Sequence, residues 1–127
     1  MKEEDRISEI LVDSALKVHK ELGAGLFEST YEVCLAYELN KAGLKIETQK
    51  VLPVVYSTIK LDAGYRLDLL IENKVIVELK SVEALNNIHL AQMLTYLKLS
   101  KCKLGLLINF NVSYLKQGGI RRVVNGL

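Results

Sequence analysis

The chain of 127 residues is 50% hydrophobic and 25% charged, the profile of a globular protein rather than of a disordered or fibrous one. Its length suits a single domain spanning residues 1–127. Its 17 basic and 15 acidic side chains leave a net charge of +2, which is too small to argue for nucleic-acid binding by itself. No apolar run approaches the ~20 residues of a membrane span, so we expect no membrane contact.

The first residues and the two cysteines indicate a cytoplasmic protein. The opening segment, MKEEDRISEI, is charged and therefore unlike a secretory signal. Cys34 and Cys102 lack metal-ligand spacing, so we interpret them as free thiols in a reducing cytosol.

Two helices are predicted in the first third of the chain. Residues 5–22 have apolar side chains at helical spacing, and Gly23 ends the run. After a short break, a second helix is expected from about residue 28 to residue 42, with Gly43 just past its end as a stop signal.

Strands are predicted in the middle of the chain and near its end. Residues 45–62 are rich in β-branched side chains, and Pro53 indicates an edge strand or a bulge there. Residues 64–81 have the alternation of a β-hairpin. The run at 103–110 is nearly continuously apolar, like a strand buried on both faces, and a last strand is expected around 120–124.

A third helix is predicted at residues 84–100, between the hairpin and the buried strand. Its inward side is expected to carry Leu85, Ile88, Ala91, Leu94 and Leu97 or Leu99. The order helix, helix, strands, helix, strand predicts an α/β fold with one mixed β-sheet flanked by helices.

The hairpin has an unusual charge pattern. A three-residue turn at 72–74 places Asp68 opposite Glu78. The same register places Arg66 opposite Lys80, and all four side chains then share one face. A two- or four-residue turn would shift this pairing by one residue. The other face is aliphatic and is predicted to be core: Leu67, Leu69, Ile71, Val75, Val77 and Leu79.

Two opposed carboxylates need a physical explanation. Side chains paired in this way have Cβ atoms about 5 Å apart, and two charges there repel by roughly 3 kcal/mol at an effective dielectric near 20. One interpretation is that Arg66 and Lys80 neutralise them as ion pairs. The other is a bound Mg²⁺, which takes one or two carboxylates and leaves its other positions to water and phosphate oxygens. Lys80 would then be a point charge for a phosphate or a developing oxyanion.

Polar residues on the second and third helices have simpler explanations when spacing alone is considered. His89, Gln92 and Tyr96 fall on one helix face, where Gln92 could hold a phosphate or a metal-bound water. A polar rim on a surface helix explains the same spacing. Glu28 complements the dipole at a helix start, and Tyr31, one turn later, fits ordinary packing.

Four segments of the chain together resemble a known family. GLFESTY, YRLDLLIENKVIVELKSV, HLAQMLTYLKL and GLLINFN, in this order, resemble the prokaryotic GxxExxY family of the PD-(D/E)xK nuclease superfamily. The resemblance covers nearly the whole chain. It implies a restriction-endonuclease-like core in which Asp68 and Glu78 are metal-binding acids and Lys80 is the catalytic lysine. Leu67, rather than the superfamily's proline, precedes Asp68.

The resemblance also implies roles for residues to which spacing alone assigns no function. It implies that Glu28 is a further metal or water ligand. Gln92 matches the glutamine often found in this superfamily on the helix after the Glu-x-Lys strand. Tyr96 follows one helical turn later, and the resemblance implies that it contacts the nucleic acid.

The activity implied by the resemblance is Mg²⁺- or Mn²⁺-dependent hydrolysis of phosphodiester bonds, with DNA as the expected substrate. Arg66, Arg121 and Arg122 would grip the nucleic-acid backbone, although solvated charges explain the two tail arginines equally well. Two alternatives stay open: a module that binds nucleic acid or a protein without cutting, and a structural protein whose hairpin charges form ion pairs. A domain this small has little room to enclose a duplex, so a homodimer is a fair expectation.

Overall fold

A mixed five-stranded β-sheet lies between helices in the computed structural model, which describes residues 1–62 and 64–127. The elements are α1 (Glu3–Leu22), α2 (Glu28–Lys41), β1 (Ile46–Val51), β2 (Val54–Tyr56), β3 (Ile59–Leu61), β4 (Arg66–Ile71), β5 (Val75–Lys80), α3 (Asn87–Ser100), β6 (Leu104–Asn109) and β7 (Ile120–Val124). The sheet order is β1-β4-β5-β6-β7, with β5 and β6 parallel and the other neighbours antiparallel. The predicted α/β fold with a mixed sheet is confirmed.

Both faces of the sheet are covered by helices. The side facing α1 and α2 contains Ile7, Leu11, Tyr31, Leu35, Leu69, Val77 and Leu106. The side facing α3 contains Leu70, Ile76, Met93, Tyr96, Leu97 and Leu107. Full burial of one such aliphatic side chain contributes about 1.5–3 kcal/mol. Every residue of β6 is buried, as predicted for a strand enclosed on both faces.

The first two helices lie close to their predicted positions, whereas the third begins later than the predicted residue 84. α3 begins at Asn87 because the Asn86 side chain accepts hydrogen bonds from the amides of Ile88 and His89 at 3.0 and 3.2 Å. The predicted inward side of α3 is confirmed for Leu97 and wrong for Ile88 and Ala91. Ile88 is 76% exposed, and the buried residues are Met93, Tyr96 and Leu97. The helix has apolar side chains of its own around most of its circumference, so their periodicity does not indicate which face is buried.

The predicted hairpin register is confirmed. Ile71 pairs with Val75, and the two pairs below it follow the same register. Glu72 and Asn73 adopt positive φ angles of 52° and 57°, and the Lys74 amide donates to the Ile71 carbonyl at 2.9 Å. These angles give the tight reversal that a hairpin turn requires.

Both faces of the hairpin contribute to the core. Leu70 and Ile76, on the face of the acids, are buried beneath α3, so this face belongs to the core near the turn. Leu67 is buried, as predicted for the aliphatic face, and packs in the same cluster as Leu52. The β4–β5 ladder ends at Leu69, whereas β4 continues to Arg66 in register with β1.

The segment after β1 leaves the sheet. β1 is an edge strand, and Pro53 follows it at the point of departure, in agreement with the expected edge placement. β2 and β3 then form a separate ribbon with four exposed apolar side chains: Val55, Tyr56, Ile59 and Leu61.

Both cysteines are free thiols, as predicted, with Cys34 half-buried and Cys102 buried. None of the helices in the described part of the chain combines the length and apolar character needed to cross a bilayer.

Candidate active site

Asp68 and Glu78 lie where strands β4 and β5 separate. The regular ladder between these strands ends at the pair of Leu69 and Val77. Beyond it, the Asp68 amide donates to Glu78 Oε2 at 2.7 Å, and the Leu79 amide donates to Asp68 Oδ2 at 2.8 Å. Each carboxylate is therefore held by a main-chain amide of the opposite strand. These two hydrogen bonds hold the predicted acids Asp68 and Glu78 close together.

The Glu78 side chain is buried in a way that disfavours its charge. The residue is only 5% exposed. Burial, and next the charge of Asp68, raise the pKa of Glu78 from 4.5 to about 8. The Asp68 amide and the charge of Lys80 act in the opposite direction without overcoming burial. A nearby cation would favour the ionised form of this carboxyl group.

The interpretation of the hairpin charges as ion pairs is wrong. Within residues 1–62 and 64–127, the ion pairs of 4.0 Å or less join Arg6 to Glu3, Lys17 to Glu38, Lys50 to Glu47, Lys60 to Asp62 and Arg122 to Asp5. Neither Arg66 nor Lys80 appears in such a pair. Lys80 is half-buried at the end of β5, and Arg66 is exposed at the start of β4.

Glu28 reaches the end of β5 from the first turn of α2. Its Oε2 accepts a hydrogen bond from the Ser81 amide at 3.0 Å, and the Ser81 hydroxyl donates to the Leu26 carbonyl at 3.1 Å. The next residue, Val82, is held by the buried Asn109 side chain. The Val82 main-chain amide donates to Asn109 Oδ1, and Asn109 Nδ2 donates to the Val82 carbonyl. These contacts place the Glu28 carboxylate next to the residue that follows Lys80.

The loop before Glu28 is fixed by Tyr31. The Tyr31 hydroxyl donates to the Gly23 carbonyl at 2.6 Å and accepts from the Leu26 amide at 3.2 Å. Its ring is fully buried and stacked on Phe110 with centroids 4.3 Å apart. Gly25 takes a positive φ of 96° in this loop, which favours glycine. The packing predicted for Tyr31 thus also orients the segment that carries Glu28.

Two residues of the site were not predicted. Gln49 of β1 donates from Nε2 to Glu32 Oε1 at 2.6 Å and to Asp68 Oδ1 at 3.3 Å. A cleft of about 350 Å³ is lined by Glu28, Ser29, Glu32, Gln49, Asp68 and Leu79. Burial raises the pKa of Glu32. Glu32 follows Glu28 by one helical turn, a signal that could have identified it, whereas no spacing rule identifies Gln49.

The polar residues of α3 have different environments. Tyr96 is buried, and its pKa is raised by burial and then by the charge of Glu78, so its phenol lies near the acids. Gln92 is exposed on α3. His89 Nδ1 accepts from the Asn86 amide at 3.1 Å as part of the helix cap.

The tail arginines are not brought to the acids. Arg121 and Arg122 lie on β7, at the edge of the sheet opposite β1. Arg122 Nη2 donates to Asp5 Oδ1 of α1 at 2.6 Å. Their role in nucleic-acid binding stays a prediction.

The sequence matches a known superfamily. A sequence model described as the PD-(D/E)XK nuclease superfamily matches residues 5–123. The chain belongs to this superfamily. Its narrower assignment to the GxxExxY family stays a prediction.

The other comparisons add little to membership of the PD-(D/E)XK nuclease superfamily. No curated protein matches the chain significantly. The solved structure "Crystal structure of SSO0001" is similar over 95% of this chain and 79% of that one, with 18% identity and a TM-score of 0.47. A likeness at this level carries no argument about activity.

The donor set of the candidate site suits Mg²⁺. In the described part of the chain, no group of three or more His, Cys, Asp or Glu side chains is arranged to hold a metal ion. Mg²⁺ nevertheless uses only one or two carboxylates and keeps several waters. Asp68 and Glu78 supply two such groups, and the burial of Glu78 without an ion pair is the kind of cost that a divalent cation offsets.

Proposed function

We propose that this protein is a Mg²⁺-dependent nuclease that hydrolyses phosphodiester bonds in DNA and also accepts Mn²⁺. One observation carries the proposal. The buried Glu78 carboxyl group lies beside Asp68, and no described lysine or arginine forms an ion pair with either. Membership of a nuclease superfamily supports the reaction.

The acids of the hairpin would hold the metal. Asp68 and Glu78 would be direct ligands, and Glu28 would be a third ligand or would hold a water. When bound, the ion would stabilise charge on the phosphate and lower the pKa of an attacking water. The main-chain amides that bind Asp68 and Glu78 fix their orientation before any ligand arrives, which lowers the cost of assembling the site.

Lys80 would stabilise the negative charge that develops on the phosphate. Its backbone is fixed at the end of β5, where its carbonyl accepts from the Phe110 amide at 3.1 Å. Because its ammonium group forms no ion pair with a described residue, its charge is available to a substrate. Gln92 would hold a phosphate or a metal-bound water, and Arg66 and Tyr96 would contact the nucleic acid. We expect the reaction to take place in the cytoplasm.

The proposal is tested by incubating plasmid, linear and single-stranded DNA, and RNA, with the protein and Mg²⁺ or Mn²⁺. The variants Glu78→Ala and Lys80→Ala should lose cleavage. Lys74→Ala is the matched control, because Lys74 is an exposed lysine at the opposite end of the same hairpin. Cleavage that survives in both site variants would come from a contaminating enzyme and would contradict the proposal.

A second candidate is a module that binds nucleic acid or a protein without cutting. It is favoured by the hydrogen bonds that Asp68 and Glu78 already receive, and by the lack of a three-ligand group among the described residues. Binding that weakens with salt, persists without divalent metal and leaves the DNA intact would support it. The expected homodimer stays a prediction, and sedimentation equilibrium tests it.

A further inference from the structure

Gln49 has an unusual backbone conformation within an otherwise regular strand. Its φ angle is 51°, in the left-handed region that favours glycine. Its neighbours Thr48 and Lys50 keep one continuous register with Leu69 and Leu67 of β4, so no residue is inserted there. The departure is confined to the position facing Asp68. Strained backbone of this kind persists where surrounding contacts enforce it, and it is concentrated at functional sites.

The contacts that accompany this conformation all involve carboxylates of the cleft. Gln49 Nε2 donates to Glu32 Oε1 at 2.6 Å and to Asp68 Oδ1 at 3.3 Å. The other oxygen of Asp68 accepts from the Leu79 amide at 2.8 Å. Both oxygens of Asp68 therefore have a donor, one from β1 and one from β5. Two such donors fix the plane of the carboxylate and leave lone pairs for a further ligand.

We propose that Gln49 is a positioning residue that orients the Asp68 carboxylate for a divalent cation, and that Glu32 anchors the Gln49 amide. This inference rests on the proposed nuclease function. Carboxylates that bind metal ions are commonly oriented by outer hydrogen-bond partners, and losing such a partner costs about 10–100-fold in metal affinity or activity.

A glycine substitution separates this role from simple support of the fold. Gln49→Gly removes the amide and also relieves the positive φ, so the fold should melt at the same temperature or higher. The affinity for Mn²⁺ should nevertheless fall by about 10–100-fold. Ser57→Gly is the matched control, because Ser57 has a φ of 55° in the turn between β2 and β3 and does not line the cleft.

The experiment combines Mn²⁺ titration calorimetry, thermal melting and the Mg²⁺ dependence of DNA cleavage. For Gln49→Gly we expect weaker Mn²⁺ binding and a higher Mg²⁺ requirement for DNA cleavage. Glu32→Gln keeps an acceptor for the amide and should retain affinity, whereas Glu32→Ala should lose it. The double variant Glu32→Ala/Gln49→Gly should bind no more weakly than Gln49→Gly alone.

Each contrary outcome has a separate meaning. Unchanged Mn²⁺ affinity in Gln49→Gly overturns the positioning role and leaves the nuclease proposal intact. Weaker affinity together with a lower melting temperature assigns Gln49 to support of the fold and also overturns that role. A wild type that binds Mn²⁺ but cuts nothing overturns the nuclease proposal, while the titration still decides Gln49. A wild type that binds no metal overturns both.

Discussion

Replacing Glu78 by glutamine should stabilise the metal-free protein, and the gain should grow with pH. Glutamine keeps the size of the side chain and an oxygen that can accept from the Asp68 amide. It also removes a carboxyl group whose ionisation is opposed by burial and by the charge of Asp68. The substitution therefore removes the energetic cost of a charge that the fold does not neutralise by itself.

The size and sign of this effect follow from the pKa of Glu78. Because this pKa is raised from 4.5 to about 8, the folded state retains a proton that the unfolded chain has lost between these pH values. The free energy of unfolding of the wild type should fall as pH rises through this window and level off above about 8. The full difference corresponds to about 5 kcal/mol, at 1.36 kcal/mol for each pH unit. Typical domains have only about 5–15 kcal/mol of total stability.

Urea unfolding of wild type and Glu78→Gln in EDTA, from pH 4 to pH 9, measures the difference directly. Glu83→Gln, which removes an exposed acid soon after the same strand, is the control for net charge. Added Mg²⁺ should then recover stability at pH 8 in the wild type but not in Glu78→Gln. Parallel stability curves for wild type and Glu78→Gln would refute the reasoning, because Glu78 would then be ionised in the fold without cost.

The remaining predictions concern catalysis, the loop before α2 and the turn before β7. Lys80→Ala should reduce plasmid cleavage by about 10²–10³-fold with an unchanged melting temperature; an unchanged rate would exclude Lys80 from catalysis. Tyr31→Phe should lower the free energy of unfolding by about 1 kcal/mol for each of its two lost hydrogen bonds, measured by urea titration; a neutral effect would show that these bonds contribute nothing. Gly119→Ala should cost about 1–3 kcal/mol, because its Cβ would lie 2.6 Å from the Leu115 carbonyl oxygen; wild-type stability would contradict this geometry.

The parts of the fold that local rules determine could be predicted from the sequence. The hairpin register followed from alternation and from a turn at 72–74, which are properties of neighbouring residues. The buried strand β6 followed from its composition. The inward face of α3 could not be predicted, since apolar residues occupy most of its circumference and the sheet decides which of them are buried.

In the candidate site too, only the features that depend on neighbouring residues in the sequence could be predicted. The positions of Asp68 and Glu78 followed from the hairpin, whereas the absence of ion pairs to Arg66 or Lys80 depends on side-chain directions that spacing does not encode. Gln49 and Glu32 meet because α2 packs beside β1 and because one backbone angle is positive. Such a contact between distant segments has no signature in a single sequence.

The two hydrogen bonds from main-chain amides to the Asp68 and Glu78 carboxylates have a consequence for sequence change. A main-chain amide is kept when any residue other than proline replaces the one that carries it, so these two hydrogen bonds survive most substitutions of neighbouring side chains. Proline at the position of Asp68 or Leu79 would remove such a donor, and selection should exclude it there.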